Sequence, residues 1–333
     1  MVPFNRLLIH ASFVFPAFSR YVGASEAGTI QQRTRKGEAR MVKKVGLIGL
    51  GAIGHPLAVN MIAKGLEVHG YRRSSMESFV AAGGKPAASP KALAEACDII
   101  LTVLPHEHDV EAVLFGDDGV LASGKKGLAI VDLSTLPVPS KESNLGKVEA
   151  AGCDLLDSPI SGVPSMVASR AGIIFASGKK EVFEAHKDVF DAMSDKAFHL
   201  GPYGTGTKMK FVANTLVSIH ILAAAEALAL GVKAGLDRDL MVKVLSPSAG
   251  SSLQFQVRAP LMMERKYDPV LAPTSLMSKD IPQFVKFAED LGCPTPLLHV
   301  ANEYYTRALE TEWAEKDVAS IIELVAEDNK MNL

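Results

Sequence analysis

Residues 43–73 read KKVGLIGLGAIGHPLAVNMIAKGLEVHGYRR, and this stretch restricts the possible folds more than any other part of the chain. An apolar run over residues 45–50 leads into Gly49, Gly51 and Gly54 at G-x-G-x-x-G spacing. A helical pattern follows, then Gly65, then a second short strand over residues 67–71. Strand, glycine turn, helix, strand is the context in which this spacing marks a dinucleotide site, where alone it would mark only a turn. Gly49 is expected to make the tight turn, Gly51 to let a pyrophosphate approach the backbone, and Gly54 to let the helix pack closely on the strand. The start of the helix offers free N–H groups and a positive dipole end. Gly49, Gly51, Ala52, Ile53 and Gly54 are therefore candidate cofactor contacts.

Short apolar strands keep alternating with helical segments to about residue 200. Strands are predicted at residues 99–104, 128–133, 154–156, 172–176 and 197–200, and helices at 90–96, 109–114, 140–151 and 181–193. Such alternation predicts an α/β, mostly parallel, doubly wound sheet of the Rossmann type, with functional groups at the carboxyl ends of its strands. After the glycine-rich GPYGTG at residues 201–206 the pattern becomes helical only. A long helix to about residue 234 is followed by candidates at 237–245, 279–291, 296–309 and 314–327. The expected organisation is an extension outside the fold at 1–40, a dinucleotide-binding domain at 41–202 and an all-helical substrate and dimerisation domain at 203–330.

Composition excludes several function classes. With 333 residues, 48% hydrophobic and 22% charged, the chain can bury a large core, and its net charge of −2 gives no general attraction to nucleic acid or an anionic membrane. Residues 211–232 are the longest apolar stretch but contain Asn214, His220 and Glu226, which lipid would penalise, so a buried core helix is the better reading. Cys97, Cys153 and Cys293 show no metal or redox spacing. His106 and His108 have no evident third ligand, so a polar loop is expected there and no metal. Residues 1–25 lack acidic groups and carry Arg6 and Arg20. A mitochondrial presequence is weighed against a natural start at Met41, and a cytoplasmic location is expected.

Lys210 and Asn214 are four apart, so they share one helix face, among the apolar Phe211, Val212, Leu216 and Val217. A lysine in such surroundings loses hydration, its pKa falls, and it becomes able to give or take a proton. Spacing alone favours a plain surface lysine beside Lys208.

Five motifs in order change that weighting. They are the N-terminal fingerprint, Leu104-Pro105 at the end of the strand predicted at 99–104, Asp132-Leu133-Ser134-Thr135 at the end of that at 128–133, Asp157-Ser158-Pro159-Ile160-Ser161-Gly162, and Gly201-x-x-Gly204-x-Gly206-x-x-x-Lys210-x-x-x-Asn214, with Lys279-Asp280 further on. The chain resembles the β-hydroxyacid dehydrogenase family over about residues 43–325. The resemblance implies NAD(P)-dependent interconversion of a short 3-hydroxy acid and its semialdehyde or keto form, by a homodimer or homotetramer. It implies Lys210 as general acid/base, Ser161, Gly162 and Asn214 on the substrate carboxylate, and Leu104, Pro105, Ser134 and Thr135 beside the nicotinamide. Lys279 and Asp280 would lie near the cofactor, with Lys279 depressing the Lys210 pKa further. The family usually has a second glycine where this chain has Val163, and a loop of different shape is expected there. Two rivals are a non-catalytic nucleotide-binding relative and an imine reductase-like enzyme. Both commonly lack the lysine.

Cofactor choice is read at the end of the second strand. NAD enzymes place Asp or Glu about 20 residues past the glycines, on the ribose 2′-OH. Here the run is Tyr71-Arg72-Arg73-Ser74, with no carboxylate to repel a 2′-phosphate and two guanidinium groups to pair with it. Arg72, Arg73 and Ser74 therefore predict NADP in preference to NAD.

Overall fold

The structure, a computed structural model, describes residues 43–333. The readings of residues 1–40 as an extension or presequence lie outside them.

Six parallel strands form the main sheet in the order β3-β2-β1-β4-β5-β6. They are β1 (Lys44–Ile48), β2 (Glu67–Tyr71), β3 (Lys85–Pro86), β4 (Ile99–Thr102), β5 (Ala129–Asp132) and β6 (Asp154–Asp157). Between them run α1 (Gly54–Ala63), α2 (Glu77–Ala81), α3 (Pro90–Ala96), α4 (Glu107–Phe115) and α5 (Val138–Ala150). The chain builds outward from β1 to β3, then returns to place β4 on the other side of β1. That reversal opens a crevice at the carboxyl ends of β1 and β4.

The central strands β1, β4 and β5 are apolar on both faces because helices cover both. Val45, Leu47, Ile99, Leu101 and Val131 face one buried cluster, with Leu57, Met61 and Phe190. Ile48, Ile100 and Ile130 face the other, with Leu93, Val110 and Leu114. Each such large side chain, fully buried, contributes about 1.5–3 kcal/mol.

The two later predicted strands do not extend this sheet. They form a separate three-stranded sheet in the order β7-β8-β9, from β7 (Ile160–Ser161), β8 (Ile173–Ala176) and β9 (Lys196–His199). The short helix α6 (Pro164–Ala168) follows β7, and the single helix expected over 181–193 breaks at His186 into α7 (Lys180–Ala185) and α8 (Lys187–Met193).

Among the described residues no named strand follows residue 201. Helix α9 (Thr205–Lys233) leads into α10 (Arg238–Leu245), α11 (Leu253–Glu264), α12 (Thr274–Asp290), α13 (Pro296–Ala308) and α14 (Ile321–Asp328). α9 passes through their shared core, burying Phe211, Ile221, Ala225 and Leu228 against Phe255, Ile281, Phe284 and Leu298. It is long and apolar enough to cross a membrane by composition, but one side of it is packed in this core. Sequence periodicity missed α11, because Pro260 interrupts it, although Ser252 caps its start by accepting from the Phe255 N–H at 3.0 Å. The helix expected at 314–327 begins only at Ile321, after a 3-10 turn at Val318–Ser320.

Candidate active site

Gly49 adopts φ +97, and a Cβ there would sit 2.1 Å from the Val103 carbonyl oxygen, so only glycine fits between β1 and the end of β4. A Cβ on Gly54 would sit 1.8 Å from the Gly49 carbonyl oxygen. The close approach that Gly54 permits is thus to the turn itself, where the sequence reading had placed it against the strand. Gly51 has no heavy atom within 4 Å of where its Cβ would be. Exposed Ala52 and half-buried Ile53 follow, and Ile53 offers α1 no side-chain cap. The first N–H groups of a helix lack intrahelical partners, so this turn is free to receive phosphate oxygens. It opens on a cavity of about 450 Å³ lined by Gly49, Gly51, Arg72, Arg73, Ser74, Leu104, Pro105 and Asp109, among others. These residues suit a dinucleotide.

The end of the second strand differs from the expectation in one respect. The end of β2 has no carboxylate, but α4 supplies one. Arg73 Nη2 pairs with Asp109 Oδ1 at 3.0 Å, and the Asp109 side chain is only 9% exposed. Arg72 donates to the Leu50 carbonyl at 3.0 Å and so braces the glycine turn. His106 and His108 are exposed with stacked rings, and His108 Nε2 lies 3.8 Å from Asp109 Oδ2.

The Leu104 N–H donates to Ser134 Oγ at 3.0 Å, tying the ends of β4 and β5 together, and Thr135 is half-buried beside it. Lys279 on α12 donates to the Pro105 carbonyl at 2.8 Å and pairs with Asp280 at 2.9 Å. The helical half therefore touches the mouth of the crevice through one lysine.

Lys210 and Asn214 lie on α9, 9% and 8% exposed. Burial lowers the Lys210 pKa to about 8, against the upward pull of Asp280. The expected second cation plays no part, because Lys279 is turned to Asp280 and Pro105. Burial likewise pushes the Asp280 carboxyl up, opposed by Lys279 and Lys210. Ser161 ends β7, which packs against α9. Gly162 adopts φ +151 with the Gly172 Cα 3.2 Å from where a Cβ would stand. Val163 sits at φ −76, ψ 163 ahead of α6, in extended backbone that a β-branched residue adopts without strain.

Sequence reasoning missed a buried ion network behind these residues. Lys141 on α5 is fully buried and pairs with Asp132 at 2.7 Å and Asp157 at 2.9 Å. Burial alone would lower its pKa, but the two carboxylates outweigh that and hold it above the ordinary lysine value. Asp132 also accepts from Thr102 Oγ1 at 2.8 Å and from the Ser134 N–H at 3.0 Å. Asp157 accepts from the Thr207 N–H and the Thr207 hydroxyl, both at 2.7 Å, in the first turn of α9. Lys141 thus links the cofactor-side strand ends to the helix that carries Lys210. The signal available in sequence was the pair of aspartates at the ends of consecutive strands, which need a cation once buried.

A Rossmann-type sheet with this turn, joined to an all-helical half, is the build of nicotinamide-dependent oxidoreductases. A family profile described as the NAD-binding domain of 6-phosphogluconate dehydrogenase matches residues 44–201, and one described as NAD-binding of NADP-dependent 3-hydroxyisobutyrate dehydrogenase matches residues 204–325. The L-threonate dehydrogenase of Cupriavidus necator is 33% identical over 85% of this chain and 96% of its own length. The mitochondrial 3-hydroxyisobutyrate dehydrogenase of Mus musculus is 30% identical over 85% of this chain and 87% of its own. A crystal structure of 3-hydroxyisobutyrate dehydrogenase from Salmonella typhimurium superposes with a TM-score of 0.78 at 28% identity, over 85% of this chain and 99% of that one. The chain belongs to the β-hydroxyacid dehydrogenase family.

Proposed function

We propose that this enzyme interconverts a short 3-hydroxy acid and its semialdehyde or keto form, with NADP(H) preferred and Lys210 as the general acid/base. The observation that carries the reading is Lys210 itself, a buried lysine with its pKa lowered to about 8, one helical turn from a buried asparagine. In the oxidative direction neutral Lys210 takes the hydroxyl proton, and in reduction its ammonium returns it. Asp280 keeps the charged form accessible, and that charge steadies the developing alkoxide. The bound nicotinamide supplies or receives the hydride. The Asn214 amide, the Ser161 hydroxyl and the Gly162 N–H hold the substrate carboxylate. Burial around Lys210 and Asn214 keeps water from the reacting carbon. Leu104, Pro105, Ser134, Thr135, Lys279 and Asp280 border the nicotinamide, while Gly49, Gly51, Ala52, Ile53 and Gly54 take the pyrophosphate.

The relatives' names support a small hydroxy acid as substrate, since one is a threonate and another a 3-hydroxyisobutyrate dehydrogenase. Lys210 supports this reading over a non-catalytic or imine-reducing one. The preference for NADP rests on Arg72, Arg73 and Ser74. The exposed apolar row of Val212, Leu216 and Leu230 on α9 supports assembly into a homodimer or homotetramer. The cytoplasm is the proposed compartment.

A panel of short 3-hydroxy acids and semialdehydes, assayed with NADP(H) and NAD(H) by the absorbance of the reduced cofactor, tests the reading. Turnover of carboxylate-bearing members, with their methyl esters or amides much poorer in kcat/KM, supports it. Equal kcat/KM for charged and uncharged versions removes the carboxylate anchor.

A further inference from the structure

We propose that Asp109 is a specificity-determining residue that offsets the charge of Arg73, so that NADH remains a usable cofactor beside NADPH. The proposal rests on the reading of Arg72, Arg73 and Ser74 as the ribose-side contacts.

From sequence this end of the crevice is cationic. In the folded protein it is not. The cavity takes +2 from Arg72 and Arg73 but −3 from Asp109, Asp117 and Asp118, a sum of −1. Asp109 is the member fixed in place. It lies in the first turn of α4, where the helix dipole favours an anion. Its Oδ1 is 3.0 Å from Arg73 Nη2, while its Oδ2 faces His108 Nε2 at 3.8 Å. Arg73 is the exposed partner, with its side chain 82% exposed and Asp109 as its one side-chain partner among the described residues. Arg72 is engaged with the Leu50 carbonyl.

A 2′-phosphate seated on Arg73 shares that guanidinium with the Asp109 carboxylate. Two anions on one cation stand within several ångströms of each other, and their repulsion at a partly exposed site weakens binding by about tenfold or more. A ribose 2′-OH carries no charge and meets no such penalty. The acidic group that NAD enzymes place on β2 is absent here, and its electrostatic effect comes instead from the neighbouring α4, with the carboxylate reaching the arginine from the side.

The alternative consequence of the same ion pair has the opposite sign. A carboxylate that merely holds Arg73 in position for the phosphate would make NADPH bind more weakly when removed. Measuring dissociation constants for NADPH and NADH, by nicotinamide fluorescence without substrate, separates the two. The proteins are wild type, Asp109→Asn and Arg73→Ala, each checked for an unchanged unfolding transition. Asp109→Asn should tighten NADPH about tenfold and leave NADH within about twofold. If Arg73→Ala weakens NADPH while Asp109→Asn leaves it unchanged or weaker, the inference about Asp109 falls and the ribose-side reading stands. If Arg73→Ala leaves NADPH binding unchanged, both fall together.

Discussion

Replacing Lys141 with methionine removes the cation from between two buried carboxylates while keeping most of the side-chain volume. The fully buried Lys141 pairs with Asp132 at 2.7 Å and Asp157 at 2.9 Å. Breaking such a pair from one side costs about 3–5 kcal/mol, because the partner charges stay buried without compensation. For roughly 290 residues at ~2.1 cal/mol/K each, the unfolding entropy is about 0.6 kcal/mol/K, so the midpoint should fall by about 5–8 °C. The sign of the pH dependence follows from linkage. In the wild type the Lys141 pKa is raised above the ordinary lysine value, so its contribution is fully present below that value and is lost only as pH rises through the folded value. In Lys141→Met that titration disappears with the cation, and the two carboxylates are left buried without it. Thermal unfolding followed by circular dichroism near pH 7 reads the loss directly. An unchanged midpoint would refute the reasoning.

Other expectations follow from the site. Gly54→Ala would place a Cβ 1.8 Å from the Gly49 carbonyl oxygen, so the turn must shift, and NADPH binding measured by fluorescence should be lost even where the protein remains folded. Asn214→Ala should lower kcat/KM for the carboxylate substrate by about tenfold or more, the value of one hydrogen bond to a charged group, while the dissociation constant for NADPH stays unchanged. Equal losses in substrate and cofactor binding would place Asn214 outside the substrate site.

The first half of the fold was legible in the sequence because its signals are local. Gly49 and Gly54 are steric requirements of the turn, and β1, β4 and β5 are apolar runs set off by turns. What escaped depends on tertiary context. The strands at 172–176 and 197–200 are locally like the others, and only the pairing of β8 with β7 on one side and β9 on the other sets them in a second sheet. α11 carries a proline that reads as a break. The lowered pKa of Lys210 was expected for the right physical reason, burial, but the effect assigned to Lys279 was not found, since that lysine is spent on Pro105 and Asp280. Asp109 and Lys141 were missed for a shared reason. Their partners lie 36 residues away for Asp109 and 9 and 16 residues away for Lys141, on other elements, and no sequence period links them.

The central claim is that Lys210 exchanges the proton, and the pH dependence of kcat/KM in both directions tests it most directly. With a pKa lowered to about 8, about a tenth of Lys210 is neutral at pH 7, some 300-fold more than for an ordinary lysine. Oxidation needs the neutral form, so its kcat/KM should rise tenfold per pH unit up to about 8 and then level off. Reduction needs the ammonium, so its kcat/KM should be level below about 8 and fall above it. Lys210→Arg should remove both limbs and lower turnover by more than about a hundredfold. Limbs that persist in Lys210→Arg, or the same pH dependence in both directions, would contradict the account.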